Sequence, residues 1–196
     1  MTFIDPIAER DATGEVAALY EDEIADQGYV SNSAAVFSLR PGVIPGWIGL
    51  KNAITAEMDA RRYELVTFAA ARRLRSSYCM LAHGSVLLER FYDADALLRI
   101  ALDHHAAGLD EVDVAIMDLA EKVAGDASAV TQEDVDRLRE LGLTDAEVFD
   151  VVAAAAARAF FTKVVDGLGG QPDSEYAKLD PALLDALVVG RPIESA

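Results

Sequence analysis

The chain has 196 residues, is 52% apolar, and carries 17 basic against 34 acidic side chains for a net charge of −17. That length and apolar content suffice for one compact domain over residues 1–196, while the acidity argues against nucleic acid and anionic membrane surfaces as partners. The N-terminal MTFIDPIAERD has no signal-peptide pattern and no apolar run is long enough to span a bilayer, so a cytoplasmic protein is expected; its lone cysteine, Cys79, agrees with a reducing compartment.

Helical signals recur along the chain and strand signals do not, which predicts an all-α, single-domain helical bundle. Thr13-Gly14-Glu15 opens an amphipathic segment with Val16, Leu19, Tyr20 and Ile24 that stops before Gly28. Asn32 to Leu39 reads as a short helix ended by Arg40-Pro41, because a residue before proline avoids helical dihedrals. Trp47, Ile48, Leu50, Ile54 and Met58 then suggest the apolar stripe of a helix reaching toward Asp59. From Glu64 to about Arg72, Leu65, Phe68, Ala69 and Arg72 fall at i, i+3, i+4 and i+7.

Ser76 and Ser77 are good N-cap residues for a helix running from Tyr78 through Leu88, which places Cys79 in its first turn and His83 one turn later on the same face. The positive end of a helix favours a thiolate, the form that reacts. If this helix and the preceding one form a hairpin turning near Arg73 and Leu74, residues whose numbers sum to about 147 face each other, and Glu64 and His83 satisfy that sum. A carboxylate there fixes the imidazole, and the imidazole relays a proton to or from Cys79. The plain alternative is an inert buried thiol. Arg72, Arg73 and Arg75 lie at the hairpin's mouth, either complementing the helix end or acting on the thiol.

Asp93 begins another helix with Ala96, Leu97, Ile100 and Leu102 that is expected to end near Gly108, with His104 and His105 at its negative end. Glu111 to Val123 follows, bounded by Gly125. Thr131 caps Glu133 to Leu141 with Gly142 closing it, and Thr144 opens Asp145 to about Leu168, whose alanine run at 153–157 permits close helix approach. A short apolar helix is expected at Pro181 to Val189. No residue pattern ties metal ligands to one helix, so neither a metal nor another cofactor is expected.

At Glu64, Cys79 and His83 the chain resembles the alkylhydroperoxidase D-like branch of the carboxymuconolactone decarboxylase superfamily, whose peroxidases carry a glutamate, a CxxC pair and a histidine four residues after the second cysteine. Tyr78 and Ala82-His83-Gly84 are similar to it as well, and so are Leu19-Tyr20, Gly28 to Asn32, Ser38-Leu39-Arg40-Pro41, Val130 through Leu138, Glu140 to Asp145 and Leu168-Gly169, which look like its uncharacterised peroxidase-related subfamily. The resemblance covers roughly residues 12–178 and implies catalytic Cys79, His83 and Glu64, with Ser76 and Tyr78 in support. Ser76 departs from the pattern by standing where the first cysteine belongs. With one sulfur, the site cannot close a disulfide on itself, so a hydroperoxide reductase here needs an external thiol, or Cys79 of another subunit, to finish the cycle. Two alternatives tolerate the serine: a non-redox proton-transfer enzyme using His83 and Glu64 on a small acid, and a redox-inactive oligomeric binding or scaffold protein. The resemblance also implies a homo-oligomer.

Overall fold

A computed structural model describes residues 2–195, and among them there are helices and no strands. In chain order they are α1 (Gly14–Gln27), α2 (Asn32–Phe37), α3 (Val43–Thr55), α4 (Ala60–Leu74), α5 (Ser77–Arg90), α6 (Ala94–Leu102), α7 (Glu111–Asp126), α8 (Gln132–Glu140), α9 (Asp145–Gly167) and α10 (Pro181–Leu187). Short 3-10 turns stand at Glu9–Asp11, Ala127–Ala129 and Ser174–Lys178. No helix among the described residues is long and apolar enough to cross a membrane.

The local chemistry accounts for most boundaries. Gly28 ends α1 with φ 87°, a conformation that costs glycine nothing. Side chains of Asp59, Ser76, Asp93 and Asp180 accept from the first-turn amides of α4, α5, α6 and α10. Thr131 with Asp134, and Thr144 with Glu147, form reciprocal capping boxes on α8 and α9.

The bundle is organised around α4, which packs on α5, α7 and α9. The expected single stripe on α4 proves too narrow: Leu65 to Ala71 are buried without interruption, as in a helix surrounded on all sides. Thr67 is tolerated there because its hydroxyl donates back to the Tyr63 and Glu64 carbonyls. Met80, Leu81 and Leu87 of α5, Ile116, Met117 and Ala120 of α7, and Val151, Ala154 and Ala155 of α9 complete the core. Small side chains on α9 let this long helix lie close against its neighbours.

Two expectations need correction. On α3 only Trp47 is buried and Ile54 is partly buried against the core, as is Met58 just beyond the helix, whereas Ile48 is 43% and Leu50 50% exposed, so the stripe is narrower than expected. On α6 the helix stops at Leu102, about six residues before its expected end, with Asp103 extended. His104 and His105 therefore lie beyond the helix and do not occupy its last turn.

Candidate functional site

The α4–α5 hairpin places the first half of the site. Its turn is made at Arg75, a non-glycine residue at φ 57°, whose amide satisfies the carbonyls ending α4. Ser76 then caps α5: its Oγ accepts from the Cys79 amide at 3.4 Å, so the thiol stands in the first turn as expected. Register follows from this turn. His83 Nδ1 lies 2.6 Å from a Glu64 carboxylate oxygen, with the two side chains 12% and 13% exposed. Burial pushes the His83 imidazole below its usual range, and the nearby Arg158 charge acts in the same direction against the bond to Glu64. A neutral imidazole donating from Nδ1 leaves Nε2 as a free base.

The second half comes from α9. Arg158 and Thr162 are one turn apart on that helix, and both face Cys79. The Thr162 hydroxyl is 3.2 Å from Cys79 Sγ, and Arg158 Nη1 is 3.9 Å from it. Arg158 Nη2 donates to the Tyr63 hydroxyl at 3.3 Å, while its Nε is buried with no acceptor. The guanidinium also lies 5.3 Å from the ring centroids of Trp47 and Phe161, which stack with each other at 5.3 Å. Arg158 is 6% exposed and, of the lysines and arginines among the described residues, the only buried one.

These groups border an open cleft of about 320 Å³, lined by Cys79, His83, Glu64, Arg158, Trp47 and Lys51 and by Tyr63, Tyr78, Tyr176 and Phe161. Tyr78 braces one rim. Its hydroxyl donates to Asp173 at 2.8 Å and accepts from the Ser33 amide, while the other Asp173 oxygen accepts from the Asn32 amide at 2.7 Å. Burial raises the Asp173 carboxyl above its ordinary range, and those two hydrogen bonds oppose the rise. Ser76 is fully buried below the thiol and is not part of the cleft wall.

All five residues singled out in the sequence thus gather around one place, but two contacts differ from expectation. No hydrogen bond joins His83 to Cys79 among the described residues; the two share the cleft, and the polar atoms touching the sulfur belong to α9. The arginines of the hairpin's mouth are not the cations beside the thiol. Arg72 pairs with Glu121 and with His104 on the far side of α4. Arg158 was hidden by its setting, an alanine run followed by Phe160-Phe161, which reads as packing material. One sequence signal was available: a long positive side chain at the i−4 position to a threonine, inside an otherwise apolar stretch.

His104 is buried and bridges Arg72 and Asp118, with Asp118 also 3.0 Å from His105 Nε2. The three ligand-type side chains of His104, His105 and Asp118 are close enough for one metal ion. Arg72 can only donate, so His104 Nδ1 accepts from it and the ring proton sits on Nε2, the nitrogen that faces Asp118; the donor set therefore fits an ion poorly.

No protein-family model and no curated protein matches the chain. Solved structures do. The alkylhydroperoxidase AhpD core, an uncharacterized peroxidase-related protein from Ralstonia eutropha JMP134, superposes with a TM-score of 0.78 at 20% identity over 89% of this chain and 94% of its own. An uncharacterized peroxidase-related protein from Silicibacter sp. TM1040 gives 0.75 at 17%, over 90% and 91%. The debrominase Bmp8, with a cysteine replaced by alanine and in complex with 2,3,4-tribromopyrrole, gives 0.75 at 13%, over 95% and 98%. The chain therefore has the alkylhydroperoxidase D-like fold.

Proposed function

We propose that the chain is a thiol-dependent hydroperoxide reductase in which Cys79 is the one reacting sulfur and an external thiol completes the cycle. The observation that carries this reading is the sulfur's surroundings. A hydroxyl stands 3.2 Å away, a buried guanidinium with no carboxylate stands 3.9 Å away, and an imidazole held neutral shares the cleft. Inert core cysteines have apolar neighbours; a cation, a donor and a base are what a nucleophilic sulfur uses.

His83 Nε2 takes the thiol proton across the cleft, with Glu64 stabilising the imidazolium that forms. Arg158 and Thr162 hold the negative charge on the sulfur as it attacks the terminal peroxide oxygen. The O–O bond breaks, the leaving alkoxide takes the proton from His83, and Cys79 becomes a sulfenic acid while the hydroperoxide becomes an alcohol. One external thiol then displaces water to give a mixed disulfide, and a second releases Cys79 as a free thiol and leaves as an external disulfide. Ser76 takes no part in electron transfer; it sets the helix start that aims the sulfur. A reducing cytoplasm supplies such thiols. We further propose a homo-oligomer, because Ile48, Leu50, Phe149 and Phe160 stand on the surface. Sedimentation as a particle of 21.0 kDa at micromolar concentration would refute that.

The test of the main reading is mass spectrometry after stoichiometric hydroperoxide in the presence of a sulfenate trap. The expected result is a trapped adduct on Cys79. An unmodified Cys79 overturns it. The debrominase neighbour supports a second reading, thiol chemistry on a halogenated ring. Bromide release from 2,3,4-tribromopyrrole with added thiol, without sulfenate formation from peroxide, would favour that one.

A further inference from the structure

We infer that the cleft selects a small organic carboxylate, held between Arg158 and Lys51 with its apolar body against Trp47 and Phe161. The inference rests on the reading of this cleft as the reacting site and names the substrate class for it.

The charges of the cleft are asymmetric in their partners. Its two acids are already engaged: Glu64 by His83 at 2.6 Å, and Glu23 by the Gln27 amide at 2.6 Å and the Ser31 backbone at 3.3 Å. Its two permanent cations are not. Lys51 Nζ has no hydrogen-bond or ion-pair partner among the described residues. Arg158 commits one donor toward Cys79 and one to Tyr63, and its Nε has no acceptor. A guanidinium has five donors and cannot shed its proton, so most of the hydrogen-bonding capacity of this buried side chain is unmet within the protein.

Such an arrangement is costly in a chain with 34 acids for 17 bases, where a carboxylate partner would be easy to supply. Among the partly buried cations elsewhere, Arg61, Arg62, Arg72 and Lys122 each have one. The cation–aromatic contacts to Trp47 and Phe161 offset part of the cost. A ligand carboxylate supplies the rest, and planar two-point recognition of carboxylates is what arginine does best. The opening of about 320 Å³ suits a molecule of roughly ring size with one short substituent. Bound this way, a hydroperoxide that also carries a carboxylate has one end fixed at the cations and the other free to approach the sulfur.

Trp47 is the only tryptophan and faces the cleft, so its fluorescence reports occupancy without any reaction. The wild type is titrated with benzoate and, separately, with benzamide as the neutral isostere. Benzoate should saturate the signal, benzamide should bind at least tenfold more weakly, and Lys51→Gln should weaken benzoate about tenfold while leaving benzamide unchanged. Equal binding of the two ligands, no saturable response to benzoate, or indifference to Lys51→Gln overturns the inference. The thiol reading is followed in parallel by alkylation of Cys79 with iodoacetamide. A thiol that does not react while benzoate still binds selectively removes the reductase reading and keeps the anion site; a reactive thiol with no benzoate selectivity does the opposite.

Discussion

The two walls of the cleft do different work. The α4–α5 wall carries Glu64 and His83, a pair whose members neutralise one another's needs and whose product is a movable proton. The α9 wall carries Arg158 and Thr162, a fixed charge and a fixed hydroxyl that touch the sulfur and have nothing to give up. Cys79 sits between a wall that moves protons and a wall that holds charge, and each should fail in its own way when altered.

The proton wall is expected to give the largest loss. His83→Gln should slow sulfenate formation by about 100-fold or more, since proton transfer is worth about 100 to 10,000-fold. His83→Ala should also slow alkylation of Cys79 at neutral pH. Stopped-flow rates unchanged within threefold would detach this pair from the thiol.

The charge wall comes next. Arg158→Gln should cost roughly 100-fold in the same rate, by analogy with the removal of one preorganised donor from a developing negative charge, while Arg158→Lys recovers part of it. The loss should be similar across the pH range in which His83 is neutral, because this group does not titrate. A rate loss confined to low pH would mean that Arg158 acts only through His83.

Restoring the second sulfur probes the floor between the walls. Ser76→Cys should form a disulfide between residues 76 and 79 on oxidation and cycle faster with a dithiol reductant. Loss of the cap on the Cys79 amide should lower reduced-state stability by about 0.5–2 kcal/mol. Absence of the disulfide on non-reducing mass analysis would show that the backbone at 76–79 cannot bridge.

The smallest effect is on stability against pH. Burial and Arg158 hold the folded-state His83 pKa below its unfolded value of about 6.5, so the unfolded chain binds the extra proton first. The stability this contributes is complete above about pH 6.5 and is lost as pH falls toward the folded-state value. His83→Gln should therefore flatten the fall in Tm between pH 7.5 and 5.5. The comparison must be made against wild type, since Asp166 and Asp173, whose carboxyls burial raises, push the other way.

The difference between the walls also governs what could be read in advance. Glu64 and His83 lie 19 residues apart across one tight hairpin, so helix periodicity and a turn position were enough to pair them. Ser76 as cap and Cys79 in the first turn are likewise local facts. Arg158 and Thr162 reach the sulfur from 79 and 83 residues away, and only the packing of α9 on α4 brings them there. The same limit explains the surface of α3, whose apolar pattern is genuine but whose Ile48 and Leu50 stay 43% and 50% exposed. Helix ends with side-chain caps were legible; the early stop of α6 was not, because the buried His104 just beyond it is fixed by Arg72 and Asp118, which are distant in sequence.

The turn at Arg75 has a consequence in time. Gly190 packs so closely on it that an added Cβ would stand 2.0 Å from the Arg75 carbonyl oxygen, and the Gly190 amide donates to Ser77 Oγ at 2.8 Å. The C-terminal strap is therefore part of the mould that shapes the first turn of α5. A ribosome making roughly 5–20 residues per second needs about 5–20 s to travel from the end of α5 to Gly190. Throughout that interval the thiol helix exists without the segment that clamps its start, and the nascent chain carries Cys79 before it carries the means to aim it.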